Sequence, residues 1–443
     1  MTAKYTVQEL VDLQIIEKPL DGNHGSIHPT SKDYVEDGIP FIMASDLSNG
    51  LVNFSSCKFI TEKQANTLRK GFSIAGDILL SHKATIGRTA TVQENKYPFL
   101  VLTPQVTYYR VKDKQKLNNL YLKYYFDSQY FQSILQQWAG SGSTRAYIGI
   151  TEQLKLPIIL PDIDTQNEIV EIINGLDQKI QLNTQINQTL EQIAQALFKS
   201  WFVDFDPVRA KVQALSDGLS LEQAELAAMQ AISGKTAEEL TALSQAQPDR
   251  YAELAETAKA FPCEMVEVDG VEVPKGWEVK RIEEVIKKIP VGKKYSSKTA
   301  FSEGLVPILD QGRSGVIGYH NDEPGVKASI EDPIIVFANH TCYMRLISYD
   351  FSAIQNVFAF KGKECDVFWV YLATLGKQEF VEYKGHFPDF LIKEIIVPPK
   401  KLTALFRKYV KESFSKIFIN DRENSSLAKI RDLLLPKLLN GEI

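Results

Sequence analysis

The strongest pattern along the chain is an apolar stripe that advances alternately by four and three residues. This spacing is the heptad repeat of a helix that packs against a partner helix. It predicts a long helix within residues 158–210, which begins at a capping box of Thr165 and Glu168 and is closed by Pro207. The stripe consists of Ile169, Ile173, Leu176, Ile180, Asn183, Asn187, Leu190, Ala194, Leu197 and Trp201.

The same helix is written a second time within residues 396–443. The two copies keep one constant spacing, so that Pro161 matches Pro398 and Leu197 matches Leu434. Arg431 is the one discordant position of the second stripe, and we expect Ile430 to rotate into its place. The second stripe consists of Phe406, Val410, Ser413, Ile417, Asn420, Asn424, Leu427, Arg431, Leu434 and Leu438.

Both stripes carry two asparagines at matching positions, Asn183 and Asn187 in the first copy and Asn420 and Asn424 in the second. A buried asparagine weakens a helix pair but selects one register, because a slipped pairing leaves its amide unsatisfied. We therefore predict that the two helices pair with each other. A helix of roughly 40 residues is about 60 Å long and would act as a spacer.

A globular segment precedes each helix, and the two segments repeat one order of elements. The first segment predicts strands near 39–43, 76–80 and 101–109, followed by a helix over 118–138. The second predicts strands near 306–309, 332–337 and 355–360, followed by a helix over 366–381. The chain is thus predicted to be α+β, with two tandem domains, each followed by a long helix, and pseudo-two-fold symmetry.

These patterns divide the chain into five segments. They are a first domain at 1–157, a helix at 158–210, an acidic insert at 211–273, a second domain at 274–395 and a second helix at 396–443. The insert is rich in Ala and Glu, and cap signals at Ser220 and Thr236 predict that it is helical. A molecule with two similar heads suits a bipartite ligand, and duplex DNA is the commonest such ligand.

The net charge of −5 is unusual for a DNA-binding protein, whose surface is typically basic. The acidic residues are concentrated in 162–273, whereas the first domain is mildly basic and the second is neutral. Such heads can contact DNA but would bind weakly alone, so we expect a partner to supply further phosphate contacts. The two long helices carry opposite net charge, which favours their pairing.

Several classes of protein are disfavoured by the sequence. Phosphate-cradling, dinucleotide-binding and zinc-protease motifs are absent, as is the tetrapeptide with which amino-methyltransferases hold a flipped base. The four cysteines have no metal-binding spacing. No secretory signal or membrane-length apolar run occurs, so a cytoplasmic location is expected. We therefore predict a non-catalytic chain that holds no cofactor or metal.

Loops that follow the predicted strands carry side chains suited to DNA. Arg, Asn and Gln discriminate base edges, whereas Lys is better suited to phosphates. The predicted DNA-binding residues are His82, Lys83, Thr85, Arg88, Ser143, Thr144, Arg145 and Tyr147 in the first domain, and Lys293, Lys294, Gln311, Arg313, Asn339, His340 and Arg345 in the second.

Several stretches identify a family resemblance that covers the whole chain in order. They are Leu156–Pro161, the helix through Leu176–Asn183, the run Asn187–Val208, the Pro274–Trp277 entry and the terminal Leu434–Gly441. Together they resemble the specificity subunit of type I restriction-modification systems. The helix signature is specific, whereas the heads of this family vary, so no DNA-contacting residue is carried over by motif.

The resemblance implies two target-recognition domains, each reading one half of a split DNA sequence, with the two long helices pairing as an antiparallel coiled coil. It also implies partners: two methylation subunits docked on the helices, and motor-nuclease restriction subunits. S-adenosylmethionine, ATP and Mg would then be held by those partners. The weaker stripe at Ser413 and Arg431 leaves the packing of the second helix open.

Two other readings of the sequence remain. A self-sufficient restriction or methyltransferase enzyme would need catalytic motifs that this sequence lacks. A protein-binding coiled-coil adaptor would have the same helices but would not select a DNA sequence. Neither the DNA target nor its spacer can be read from the chain, because base readout depends on loop geometry and DNA shape.

Overall fold

The computed structural model describes residues 3–139, 147–268, 270–312, 315–382 and 384–442. The chain folds as two compact units. The first unit is Met1–Leu182 with Glu423–Ile443, and the second unit is Asn183–Arg422. The division into five segments stays a prediction, since each compact unit combines one globular segment with parts of both long helices.

In its described residues, the first unit contains three sheets and five short helices, and the first long helix begins in it. Three 3-10 turns lie at Gly25–Ile27, Ser31–Asp33 and Ala44–Asp46. The elements are β1 (Ala3–Thr6), α1 (Val7–Asp12), β2 (Leu20–Asp21), β3 (Tyr34–Val35), β4 (Ile39–Ile42), β5 (Leu47–Ser48), β6 (Gly50–Val52), β7 (Lys58–Ile60), α2 (Glu62–Ala65), β8 (Phe72–Ser73), β9 (Ile78–Lys83), β10 (Thr85–Thr91), β11 (Leu100–Leu102), β12 (Val106–Tyr109), α3 (Asn119–Asp127), α4 (Gln129–Ala139), α5 (Ile150–Gln153), β13 (Pro157–Leu160) and α6 (Ile163–Phe202).

The second unit begins within α6 and ends within the second long helix. Its elements, with that helix given in full, are α7 (Asp206–Ser216), α8 (Leu221–Ser233), α9 (Ala237–Ala246), α10 (Pro248–Ala260), β14 (Met265–Val268), β15 (Val271–Pro274), β16 (Glu278–Arg281), α11 (Ile282–Val285), β17 (Ile286–Ile289), β18 (Lys294–Tyr295), β19 (Val306–Leu309), β20 (Val316–His320), β21 (Ile334–Ala338), β22 (Met344–Ile347), β23 (Ser352–Ile354), β24 (Val357–Gly362), α12 (Val367–Thr374), α13 (Phe387–Leu391), β25 (Glu394–Val397) and α14 (Lys400–Leu439).

The sheets of the two units follow one plan. In the first unit, one sheet has the order β2-β12-β9-β10-β6-β5 and another β3-β7-β4-β11-β8, while β1 pairs with β13. In the second unit, the sheets are β17-β24-β21-β22 and β18-β23-β19-β20, and β16 pairs with β25. Equivalent strand pairs have the same relative direction in the two units. The pair β9–β12 and its counterpart β21–β24 are antiparallel, whereas β4–β11 and its counterpart β19–β23 are parallel. The predicted α+β class with two diverged copies is therefore confirmed.

The first unit is completed by both long helices. Ile169 and Ile173 on α6 share its largest apolar core with Leu435 and Leu438 near the end of α14. At a polar position of this pairing, Arg431 Nη1 lies 2.8 Å from the Asp177 carboxylate. Because Lys179 lies 3.6 Å from Glu423, partners move backwards along α14 as residue numbers rise along α6. The helices are therefore antiparallel in this unit.

In the second unit, α6 and α14 meet through aromatic side chains. The Trp201 and Phe202 rings lie 5.5 and 5.1 Å from that of Phe406. Farther along α14, Phe414 stacks on Phe368 of α12 at 4.9 Å. Since aromatic pairs add contact energy to their buried area, this cluster joins both helices to the second globular domain.

The asparagines of the helix pair behave as predicted within the second unit. Asn183 and Asn420 are buried. Asn420 donates from Nδ2 to Asn187 Oδ1 at 2.8 Å, and Asn187 donates in turn to the Asp421 carboxylate at 2.7 Å. These bonds link α6 to α14 in one register, which is the role expected of asparagine in a helix pair.

The packing of the second long helix differs from the prediction. Ile430 does not replace Arg431 but stays 45% exposed, because the ion pair with Asp177 makes the arginine acceptable in the seam. The buried face of the second helix is also shifted toward the globular domain. Phe414 is buried, whereas the neighbouring Ser413 of the predicted stripe is only half-buried.

The start and end of the first helix also differ from the prediction. The helix α6 begins at Ile163, where Asp162 rather than Thr165 supplies the cap and accepts from the Thr165 N–H at 3.0 Å. It ends at Phe202, and Pro207 lies in the first turn of α7 instead. Phe205, in the left-handed backbone region at φ 58°, lies between the two helices.

The acidic insert packs on the second domain. The cap signals at Ser220 and Thr236 form complete capping boxes at the starts of α8 and α9. Apolar residues of this insert, such as Met229 and Phe261, share one core with Trp201 and Trp277. The insert is therefore part of the second unit's core. None of the helices in the described ranges is long and apolar enough to cross a membrane.

Replacing Leu435 with Ala should destabilise the first unit by about 2–4 kcal/mol, because the buried side chain leaves a cavity in the core. Leu435 is 6% exposed, whereas Leu433 on the same helix is 69% exposed. Leu433→Ala is the matched control and should change stability little. Denaturant unfolding with hydrogen exchange of residues 163–173 measures both. Equal effects of the two substitutions would contradict the packing described.

Candidate nucleic-acid interface

The first-unit surface consists of the turn between β9 and β10, residues 83–88, together with Tyr147. The strands reverse at Ala84, which has a positive φ of 66°, and this brings Lys83 opposite Thr85. Thr85 and the Arg88 side chain are exposed. The Lys83 ammonium lies 5.8 Å from the centre of the Tyr147 ring, which is 47% exposed. A cation and an aromatic face are thus presented together.

His82 does not belong to the exposed part of this surface. Its side chain is 1% exposed, and its ring lies 5.7 Å from that of Tyr147. Its Nδ1 donates to the Ile148 carbonyl at 3.0 Å, so Nδ1 carries the hydrogen of the neutral ring. Burial lowers the pKa of His82 to about 4, against a smaller opposing effect of Asp21. In this conformation, His82 supports the surface from beneath and does not face solvent.

The second-unit surface is formed where three loops meet, and it consists of Gln311, His340, Thr341 and Asn356, with Asn339 buried beside them. The Gln311 side chain accepts from the His340 N–H at 3.0 Å, and its backbone carbonyl accepts from the Thr341 hydroxyl at 2.6 Å. Asn356 Nδ2 lies 3.1 Å from His340 Nε2. The Asn339 N–H donates to the Asn356 carbonyl at 2.9 Å. The structure therefore brings three of the predicted residues, Gln311, Asn339 and His340, into one network.

Arg345 lies on β22 beside this network. Its guanidinium donates to the Gly315 carbonyl at 2.9 Å and lies 5.7 Å from the centre of the Tyr343 ring. A Cβ on Gly315 would lie 2.0 Å from Arg345 Nη1, so the glycine makes room for the arginine. The side chain is half-buried, and part of its hydrogen-bonding capacity is directed at its own loop.

Lys293 and Lys294 flank a different cluster of the second unit. Lys293 Nζ lies 2.8 Å from the Asp322 carboxylate, and the Tyr295 hydroxyl donates to the same carboxylate at 2.8 Å. The Tyr295 ring stacks on the buried His320 at 4.1 Å. The pKa of Asp322 is lowered, chiefly by the hydrogen bond from Lys293. The Lys293 charge is therefore largely compensated locally, whereas Lys294 is exposed.

Four predicted contact residues, Ser143, Thr144, Arg145 and Arg313, lie outside the described residues. The whole set of candidate DNA-binding residues stays a prediction. Within the described ranges, no group of three or more His, Cys, Asp or Glu side chains could hold a metal ion.

Sequence reasoning missed two residues that shape these surfaces, Gln105 and Asn356. Each directly precedes the strand that runs antiparallel to the central one, β12 or β24. Their carbonyls accept from the His82 and Asn339 N–H groups, in both cases at 2.9 Å. The recurrence of an amide residue before a valine, Gln105-Val106 and Asn356-Val357, was the available signal.

The two surfaces offer complementary chemistry for a nucleic acid. Gln and Asn amides can read base edges, and Arg or Lys can contact guanine or phosphate. Tyr147 presents an aromatic face. Each surface lies at the end of the equivalent central strand, β9 or β21, in its unit.

The chain is similar to known proteins of one kind. A family model described as the type I restriction modification DNA specificity domain matches residues 9–192. The type I restriction enzyme HindI specificity subunit of Haemophilus influenzae is 45% identical over 346 residues, which cover 71% of this chain and 74% of that protein. The MjaIX specificity subunit of Methanocaldococcus jannaschii is 24% identical over 438 residues, or 93% of this chain and 88% of that protein. A crystal structure of the type I restriction-modification S subunit from M. genitalium has a TM-score of 0.49 at 15% identity, and covers 99% of this chain and 96% of that chain.

The buried His82 should make the first unit sensitive to acid. The ordinary pKa of 6.5 applies to the unfolded chain, and the native pKa is about 4, so between these values the unfolded state binds more protons. Stability should therefore fall as pH drops from about 6.5 to 4, by about 3 kcal/mol in total. Denaturant unfolding over this range should show a smaller loss for His82→Asn, which has no ring to protonate. An identical pH dependence in both proteins would contradict the assignment.

Proposed function

The chain belongs to the family of type I restriction enzyme specificity subunits, and we propose that it reads a split DNA target, one half through each unit. The observation that carries the proposal is the 45% identity to the HindI specificity subunit over 74% of that protein. In this role the chain is the non-catalytic recognition subunit of a restriction-modification complex. Its work is to select the DNA sequence on which the complex acts.

The geometry supports a separate role for each unit. Each unit has its own sheets and core, and each carries a polar surface at the end of the equivalent central strand. We propose that Lys83, Thr85, Arg88 and Tyr147 contact one half-site, and that Gln311, His340 and Arg345 contact the other. Side-chain amides and arginine discriminate bases by about 1–3 kcal/mol for each good bidentate contact.

Phosphate contacts alone would give little selectivity, since they carry no sequence information. The exposed Lys294 is suited to this positioning role, whereas Lys293 would first have to leave its ion pair with Asp322. Because the chain has a net charge of −5, we expect its own sequence-independent affinity for DNA to be weak and strongly dependent on salt. Partner subunits would then supply much of the total affinity.

We propose that two methylation subunits and the restriction subunits assemble with this chain in the cytoplasm. S-adenosylmethionine, ATP and Mg would be bound by those partners, and the chemistry would occur on them. The long helices α6 and α14 are the proposed docking elements for the methylation subunits. The purified chain alone should neither methylate nor cleave DNA.

Exchanging residues 1–155 for the equivalent head of a relative should change one half of the recognised sequence and leave the other half intact. The physical reason is that each head carries its own sheets and its own readout surface. Sequencing of methylated sites, in cells that carry the complete system, measures both halves at once. The matched control exchanges the second head, residues 274–393, and should change the opposite half.

Two outcomes of this exchange would count against the proposal. Altered readout in both halves would mean that the units do not act independently. An unchanged consensus in an active complex would mean that sequence is not read by the heads.

A further inference from the structure

Each unit has a hydrogen-bonded junction at the end of its own central strand, and the two junctions are built in the same way. In the first unit, the His82 N–H donates to the Gln105 carbonyl at 2.9 Å, and the His82 carbonyl accepts from the Ile148 N–H at 3.0 Å. The first bond joins the end of the strand to the chain that precedes β12. The second joins it to the segment 147–149, which carries Tyr147.

The second unit repeats this junction with different side chains. The Asn339 N–H donates to the Asn356 carbonyl at 2.9 Å, and the Asn339 carbonyl accepts from the His386 N–H at 3.0 Å. The segment held here is 384–387. Its Lys384 carbonyl accepts from His340 Nδ1 at 2.8 Å, so the segment also orients a residue of the second-unit surface.

The side chains at the two junctions add a third bond of opposite polarity. His82 Nδ1 donates to the Ile148 carbonyl, whereas Asn339 Oδ1 accepts from the Phe387 N–H at 2.8 Å. Both side chains are buried, at 1% and 8% exposure. They therefore contribute by holding a loop and not by contacting a ligand.

The environment of each junction is adapted to this bond. Gln153, fully buried, donates from Nε2 to the same Ile148 carbonyl at 2.9 Å and accepts at Oε1 from the Tyr109 hydroxyl. In the second unit, a Cβ on Gly385 would lie 2.9 Å from Asn339 Nδ2, so the glycine permits the close approach. Polar networks that are satisfied in this way fix a single arrangement.

We infer that His82 and Asn339 are equivalent positioning residues for base readout, each seating one recognition segment against the end of its central strand. The inference rests on the proposed function, because it concerns how that function is made specific. Base contacts need their side chains held within about 0.5 Å of the productive geometry by supporting hydrogen bonds. His82 acts through Tyr147 and Lys83, and Asn339 acts through His340.

The opposite polarity of the two bonds predicts different substitution rules. At position 82 a donor near the ring Nδ1 is required, so His82→Asn should work because its short amide reaches that place. His82→Gln should fail, because its longer amide extends toward the place of Nε2, and His82→Leu should fail for lack of a donor. At position 339 an acceptor is required, so Asn339→Asp should work and Asn339→Leu should fail.

The experiment uses the full chain assembled with the methylation subunits of its own system. The readout is the methylation rate at the full target relative to targets with one mismatch in either half. Leucine at position 82 should lower discrimination in the first half about tenfold or more, as expected for loss of one good base contact, and should leave the second half unchanged. Leucine at position 339 should affect the second half alone. The Asn and Asp variants should retain discrimination close to that of the wild type.

Thr107→Val is the matched control for general damage to the first sheet. Thr107 is fully buried on β12, which is hydrogen-bonded to β9, and its hydroxyl has no hydrogen-bond partner in the described part of the chain. Removing that hydroxyl costs no hydrogen bond and keeps the shape of the side chain. Discrimination in both halves should therefore be unchanged.

The possible outcomes separate this inference from the proposed function. If the wild-type complex shows no two-part consensus, the proposed function itself fails. If the wild type shows one, the inference is overturned when His82→Leu keeps its first-half discrimination, when it weakens both halves equally, or when Thr107→Val has the same effect. Should the leucine variant fail to assemble, the Asn and Gln variants decide, and identical behaviour of these two would overturn the inference.

Discussion

The constraint on which the structure depends is that neither globular domain completes its core alone. The first needs Ile169 and Ile173 from the start of α6 and Leu435 and Leu438 from the end of α14. The second packs on the other ends of the same helices, around Trp201. Hydrophobic burial is the largest favourable term in folding, and these side chains contribute to it. This constraint explains why the helices are repeated and antiparallel, because each helix must supply one end to each unit.

Much of this architecture could be predicted from the sequence. The heptad stripe and its repetition predicted two long helices, and both are 40 residues long. The central strands were predicted because they are short apolar runs next to turn signals. What failed depends on tertiary contacts: Arg431 is acceptable because Asp177 faces it, and Phe414 is buried because Phe368 stacks on it. Spacing within one helix carries no information about such partners.

The readout surfaces could be predicted only by residue type. The loops after β9 and β21 were identified as candidates, but exposure was not predictable, and His82 proves to be buried. The sequence presents Lys293 as a cation available to phosphates, but its ammonium lies 2.8 Å from the Asp322 carboxylate. The junctions at His82 and Asn339 join residues far apart in sequence, and their equivalence emerges only when the strand orders of the two units are compared.

The central claim is that each unit reads one half of a split DNA target. Its most direct test is hydrogen exchange of the assembled complex on the full target and on duplexes with one half scrambled. Scrambling one half should remove protection at residues 81–88 and 147–149 while residues 310–312 and 339–343 stay protected, and scrambling the other half should do the reverse. Loss of protection in both units whichever half is scrambled, or in neither, would contradict the account.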